Sequence, residues 1–123
     1  MDATSMRVLA LSIVAAGDRL KADHGEWHRV FYELKQEGFA PEIFSELRFS
    51  KPSGGRAYSE ELEELLFTLT LADLAGRENP DFEVLEIKNA ARTQIQGSYR
   101  DVGERYADTI ERISGNVRRE LTA

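Results

Sequence analysis

The sequence predicts a mainly α-helical domain with a small β wing, followed by a long C-terminal amphipathic helix. Three observations carry this expectation. Two short apolar stripes recur at helical spacing, at Trp27, Val30, Phe31 and Leu34 and again at Leu62, Leu65, Leu66 and Leu69. A brief run of strand formers, Phe82 to Ile87 (FEVLEI), follows the second stripe. From Asn89 to Leu121 no proline interrupts a third stripe much longer than the other two. With 123 residues, 41% hydrophobic and 31% charged, the chain has material for one core and is neither a disordered polar chain nor a membrane protein. The absence of cysteine removes disulfides, thiolate metal sites and a thiol nucleophile, and fits a reducing, cytoplasmic setting.

Taken in order, Val8 to Ala16 (VLALSIVAA) resembles the core of a signal peptide. Its flank sets Asp2 against a single Arg7, and the run is far short of the roughly 20 residues that cross a bilayer, so it reads as a buried first helix from Thr4 to Ala16, stopped at Gly17. The second helix has Asp23 as its N-cap and Gly38 past its end, and Pro41 opens a short helix that runs to Glu46. Leu47-Arg48-Phe49 alternates as a short strand does, and Lys51 to Arg56 (KPSGGR) is a loop. Ser59 caps a third helix whose first turns hold Glu60, Glu61, Glu63 and Glu64, and which buries Leu62, Leu65, Leu66, Leu69 and Ala72 before ending at Gly76. Asn79-Pro80-Asp81 turns the chain into the wing strand. This order of helices and short strands over residues 1–88 is that of a winged-helix-like domain.

Residues 89–123 form the second part. Ile95, Tyr99, Val102, Tyr106, Ile110, Ile113, Val117 and Leu121 recur at intervals of 4, 3, 4, 4, 3, 4 and 4, longer on average than a coiled-coil heptad allows. A continuous helix here would be roughly 45 Å long, against a core of only some 25 Å for the preceding part. The distal residues Ile110, Ile113, Val117 and Leu121 are therefore expected to overhang and to form a homodimer seam, while Ile95 to Val102 pack on their own domain. Gly97, Gly103 and Gly115 mark either bends or close packing.

Charge is asymmetric. Residues 1–87 hold 9 Lys and Arg against 17 Asp and Glu, whereas residues 88–123 hold 7 against 5. No Lys or Arg lies between Ala57 and Gly76, so a third helix presented to phosphates would be repelled. A DNA contact would instead use the wing and the C-terminal arginines, with Lys88, Arg92 and Arg100 as candidates.

Few residues suggest catalysis. His24 and His28 stand four apart, on one face of a helix if it begins by His24, but the intervening Glu26 is at the wrong offset for a zinc protease motif. Together with Glu60 to Glu64 they are the only plausible metal or acid/base groups. No serine sits in a nucleophile elbow, and Gly54-Gly55 lacks the phosphate-loop pattern. No catalytic residue, metal or cofactor is expected.

Two stretches resemble a family. Trp27 to Leu34 (WHRVFYEL) is similar to the L-Q-K-x-x-Y-x-L helix, and Ala57 to Leu62 (AYSEEL) to the G-P-Y-S-x-x-L helix start, of bacterial and archaeal proteins of the YwgA type, related in layout to the antitoxin-like Panacea domain. The resemblance spans residues 5–88 and implies a winged-helix-like fold with roles in regulation, toxin neutralisation or phage defence. Arg56-Ala57 stands where the family has Gly-Pro, and His28-Arg29 where it has Gln-Lys. The expected function is a non-enzymatic regulatory or protein-interaction module, the alternative a DNA-binding transcriptional regulator.

Overall fold

An apolar helix is the axis of the molecule. α1 (Ala3–Ala16) buries Val8 to Val14 without a break, so it has no polar face and must be covered on all sides. Asp2 caps it, its carboxylate accepting the Ser5 N–H at 2.7 Å, and the Ser12 hydroxyl donates to the Val8 carbonyl within the apolar stretch. The computed structural model describes residues 2–51, 55–71, 75–78 and 84–123.

After α1 comes a strand that the sequence pattern does not show, β1 (Arg19–Lys21), in which only Leu20 is buried. α2 (His24–Gln36) follows its Asp23 cap and lays Trp27, Val30, Phe31 and Leu34 into the core as the stripe predicts. The Trp27 indole N–H reaches the Lys21 carbonyl at 2.7 Å and ties α2 to β1. α3 (Pro41–Phe44) is one turn, entered through Ala40 at φ 44°, a left-handed conformation that alanine rarely adopts. α4 (Glu60–Leu71) and the strands β2 (Ala75–Glu78) and β3 (Val84–Ile87) complete the first part.

The three strands form one antiparallel sheet in the order β1-β3-β2, with Leu20 opposite Leu85 and Arg19 opposite Glu86. Gly76 lies in β2, not at the end of the third helix. The expected Asn79-Pro80-Asp81 turn, Ala72 and Pro52 to Gly54 fall outside the described residues. Leu47 to Phe49 is not a strand. The Leu47 carbonyl accepts the Lys35 ammonium and the Arg48 N–H is taken by the Glu61 carboxylate, so side chains satisfy the backbone groups that a neighbouring strand would have used. Strand pairing survives only as a single bridge between Ser50 and Tyr58.

The C-terminal segment is helical, yet it is not one straight rod. α5 (Asn89–Ser98), α6 (Arg100–Arg105) and α7 (Ala107–Leu121) are separated at Tyr99 and Tyr106, whose backbones sit near φ −110°, ψ 28°. Hydrogen bonds continue across both joints, from Gly103 N–H to the Tyr99 carbonyl and from Ile110 N–H to the Tyr106 carbonyl. The bends fall at stripe tyrosines and not at glycines, and they curl the segment around α1, which α5, α6 and α7 all touch. Consequently there is no overhang. Ile95, Val102, Ile113, Val117 and Leu121 join Val8, Ile13, Trp27, Phe31 and Leu62 in one buried cluster, so residues 1–88 and 89–123 share a single core.

Candidate functional site

Three side chains singled out in the sequence come together where α2 meets α4. His24 is the first residue of α2 and His28 lies one turn on, so both imidazoles face α4. They converge on Glu63. His24 Nδ1 is 2.9 Å from its Oε1 and 3.0 Å from its Oε2, and His28 Nε2 is 2.8 Å from Oε1. His28 is only 3% exposed, and the Tyr58 ring stacks on it at 4.8 Å.

The second nitrogen of His28 fixes its chemistry. Nδ1 lies 3.0 Å from the Ser59 backbone N–H, which can only donate, so Nδ1 is an acceptor and the ring proton sits on Nε2, donated to Glu63. A histidine that binds a metal does the reverse, offering a lone pair to the ion while its other nitrogen donates outward. The arrangement therefore does not fit a metal, and among the described residues no group of three or more His, Asp or Glu has a metal-holding geometry. What it does is join two helices. Burial raises the Glu63 carboxyl, but the hydrogen bonds from His28 and then His24 outweigh burial and hold it below the ordinary carboxylate range. Leaving the buried Ser59 N–H without its acceptor would cost about 1–3 kcal/mol.

The four acids of α4 divide by role. Glu63 takes the histidines, and Glu61 accepts the Arg48 N–H at 2.8 Å and its guanidinium at 3.3 Å. Ser59 caps the helix, its hydroxyl accepting the Leu62 N–H. Glu60 and Glu64 are exposed, on the same face as Phe67 and Thr68. Phe67 is 63% exposed and Tyr58 46%, the two large apolar side chains left in water among the described residues. An exposed phenylalanine that continues a face of two exposed carboxylates is unusual on a helix whose other face is a tight leucine stripe.

Of the candidate DNA contacts, Arg92 is turned onto its own chain. Arg92 donates from Nε to the Val14 carbonyl at 2.7 Å and from Nη2 to the Gly17 carbonyl at 3.0 Å, and pairs with Asp18 at 2.8 Å. Arg118 does the same from α7, reaching the Ala16 carbonyl at 2.8 Å and the Ala15 carbonyl at 3.0 Å. The two guanidiniums close the C-terminal end of α1, which has no basic residue of its own in its last turn. Lys88 and Arg100 lie on the surface.

The dimer seam is corrected for three of its four residues. Ile113, Val117 and Leu121 are 0% exposed within one chain, because the bends at Tyr99 and Tyr106 return them to α1. Ile110 is partly buried at the edge of a groove of about 520 Å³ lined also by Leu11, Ala15, Gly103 and Ala107.

Sequence reasoning missed Tyr58 and Ser59 as partners of His28, Arg118 as a cap, and Phe67. Only Phe67 carried a local signal, since it falls outside the stripe of Leu62, Leu65, Leu66 and Leu69. Comparison of the chain with family models, with curated proteins and with solved structures finds no match.

Proposed function

We propose that this chain is a non-enzymatic regulatory module of winged-helix-like design, which binds a partner protein through the outer face of α4. The order α1, β1, α2, α4, β2, β3, with β3 central in the sheet, supports the winged-helix-like reading. In DNA-binding proteins of that design the corresponding helix enters the major groove. Here the same face carries Glu60, Glu64, Phe67 and Thr68, which suits a protein with a basic, apolar patch and repels phosphate. The observation that carries the reading is Phe67, a hydrophobic anchor held in water with Glu64 one turn and Glu60 two turns before it on the same face. The alternative through Lys88, Arg92 and Arg100 has less support, because Arg92 is spent on α1. The resemblance to the YwgA-type and Panacea-like proteins points to the same class of role, in toxin neutralisation or defence.

A photo-crosslinking phenylalanine at position 67 tests it. The expected result in the source cell is one discrete protein adduct from position 67 and none from position 42, which is exposed on α3. Sub-micromolar duplex DNA binding at physiological salt, lost on Phe67→Ala or Glu64→Ala, would overturn the reading.

A further inference from the structure

His28 is the one ionisable side chain among the buried polar residues described, the others being Ser5, Ser12, Ser59 and Ser114. Its two nitrogens make opposite demands. Nε2 must carry a proton to bond Glu63, and Nδ1 must lack one to accept from Ser59. Only one neutral tautomer meets both.

We propose that His28 is a pH-operated latch on the start of α4, which releases the Ser59 N–H when the ring takes up a second proton. The doubly protonated ring has N–H at both positions, so at Nδ1 two donors would face each other across the 3.0 Å contact. Its bond to Glu63 meanwhile gains charge assistance. The ring keeps the carboxylate and gives up the neutral backbone partner. The released amide belongs to the residue that caps α4, whose hydroxyl holds the Leu62 N–H and whose carbonyl holds the Glu63 N–H, so the first turn of the helix loosens with it.

The groups around the ring favour this division. From α4, Glu63 faces Nε2; from α2 itself, His24 shares the same carboxylate. From the segment before α4, the Tyr58 ring covers the imidazole and stacks on either protonation state, while the Arg56 guanidinium lies over Gly25 at the start of α2. Glu61, two residues from Ser59, is held by the Arg48 N–H and guanidinium and accepts the Ser59 hydroxyl at 3.4 Å.

The latch bears on the proposed interaction because Glu60 lies in the turn that it holds, so acid would unsettle one end of the partner face. That consequence rests on the interaction reading; the latch does not. Nuclear magnetic resonance of the full chain labelled with ¹⁵N, from about pH 8 to about pH 5, tests it in the range where histidine titrates. The ring nitrogens of His28 should change from the one-proton to the two-proton pattern, and the Ser59 amide should lose about tenfold or more of its exchange protection in step, while Ile13 in α1 stays protected. His28→Gln offers an amide oxygen to Ser59 and an amide N–H to Glu63 with no proton to gain, so its Ser59 protection should not vary with pH. His24→Ala should keep the response, and covers the case in which the glutamine variant does not fold. A ring that stays singly protonated throughout, a second proton gained with Ser59 still protected, or a response lost in His24→Ala would each overturn the proposal. None of these readings involves a partner, so they stand or fall apart from the crosslink at position 67.

Discussion

Replacing Arg92 by alanine should destabilise the protein by about 2–3 kcal/mol. Hydrogen bonds from a charged donor contribute about 1.5–3 kcal/mol each, and Arg92 makes two to carbonyls at the end of α1. Its helix-dipole interaction adds roughly 0.3–1 kcal/mol. Because the side chain is still 19% exposed, water recovers part of the loss at the freed carbonyls, which brings the net below the lower end of that sum, to about 2–3 kcal/mol. At this chain length about 1 kcal/mol moves Tm by roughly 3–5 °C, so Tm should fall by about 6–15 °C. Urea unfolding followed by circular dichroism measures the free energy, and a thermal melt by the same signal measures Tm. Arg92→Lys should restore less than half, since one ammonium cannot span the Val14 and Gly17 carbonyls as the guanidinium does. Arg118→Ala should cost less, about 1–2 kcal/mol, because its side chain is exposed, and the double variant less than the sum, because both arginines close the same helix end. A loss below about 0.5 kcal/mol for both single variants would refute the reasoning, since it would place them among ordinary surface substitutions.

Glu63→Gln should lower stability at neutral pH by about 1–2 kcal/mol, through weaker hydrogen bonds to both histidines. Because the folded carboxyl is held below its unfolded value, the stability it contributes is present above the ordinary carboxylate range and lost as pH falls through the folded value; urea titrations at neutral and acid pH should show the gap between variant and wild type closing. Ile113→Asp should unfold the chain outright, at a cost of about 4 kcal/mol or more, and circular dichroism should show lost helix; a folded protein of altered mass in light scattering would contradict the packing of α7 on α1. Ala40→Gly should raise Tm slightly, by about 0.5–1 kcal/mol of added stability, as glycine takes φ 44° without the Cβ penalty.

What could be read from the sequence was local and periodic. The stripes at Trp27 to Leu34 and Leu62 to Leu69 gave two helices and their buried faces, because helical periodicity survives any tertiary arrangement. β1 was hidden: three residues with one apolar side chain make a strand only because Leu85 lies opposite Leu20. Leu47 to Phe49 misled for the converse reason, since its alternation is strand-like but Lys35 and Glu61 had already taken its backbone groups. The third stripe was correctly periodic and wrongly straight, as two tyrosine joints no propensity marks redirect it onto α1. At the site, the spacing of His24 and His28 placed them on one face. Nothing local said that Glu63, 35 residues from His28, was the acid that meets them, or that Ser59 would decide the tautomer.

The wrapping of α1 has a consequence for how the chain comes into being. The apolar α1 is synthesised before every element that covers it, and Arg118, which closes its end, lies 102 residues beyond Ala16. At about 5–20 residues per second, α1 waits roughly 5–20 s for its last cover. During that interval a segment with no polar face is in solvent, and its native contacts are among the longest in sequence the molecule makes. Folding of the core is thus held until α7 emerges, and nascent chains halted before Ala107 should be sticky, protease-sensitive clients of holding chaperones.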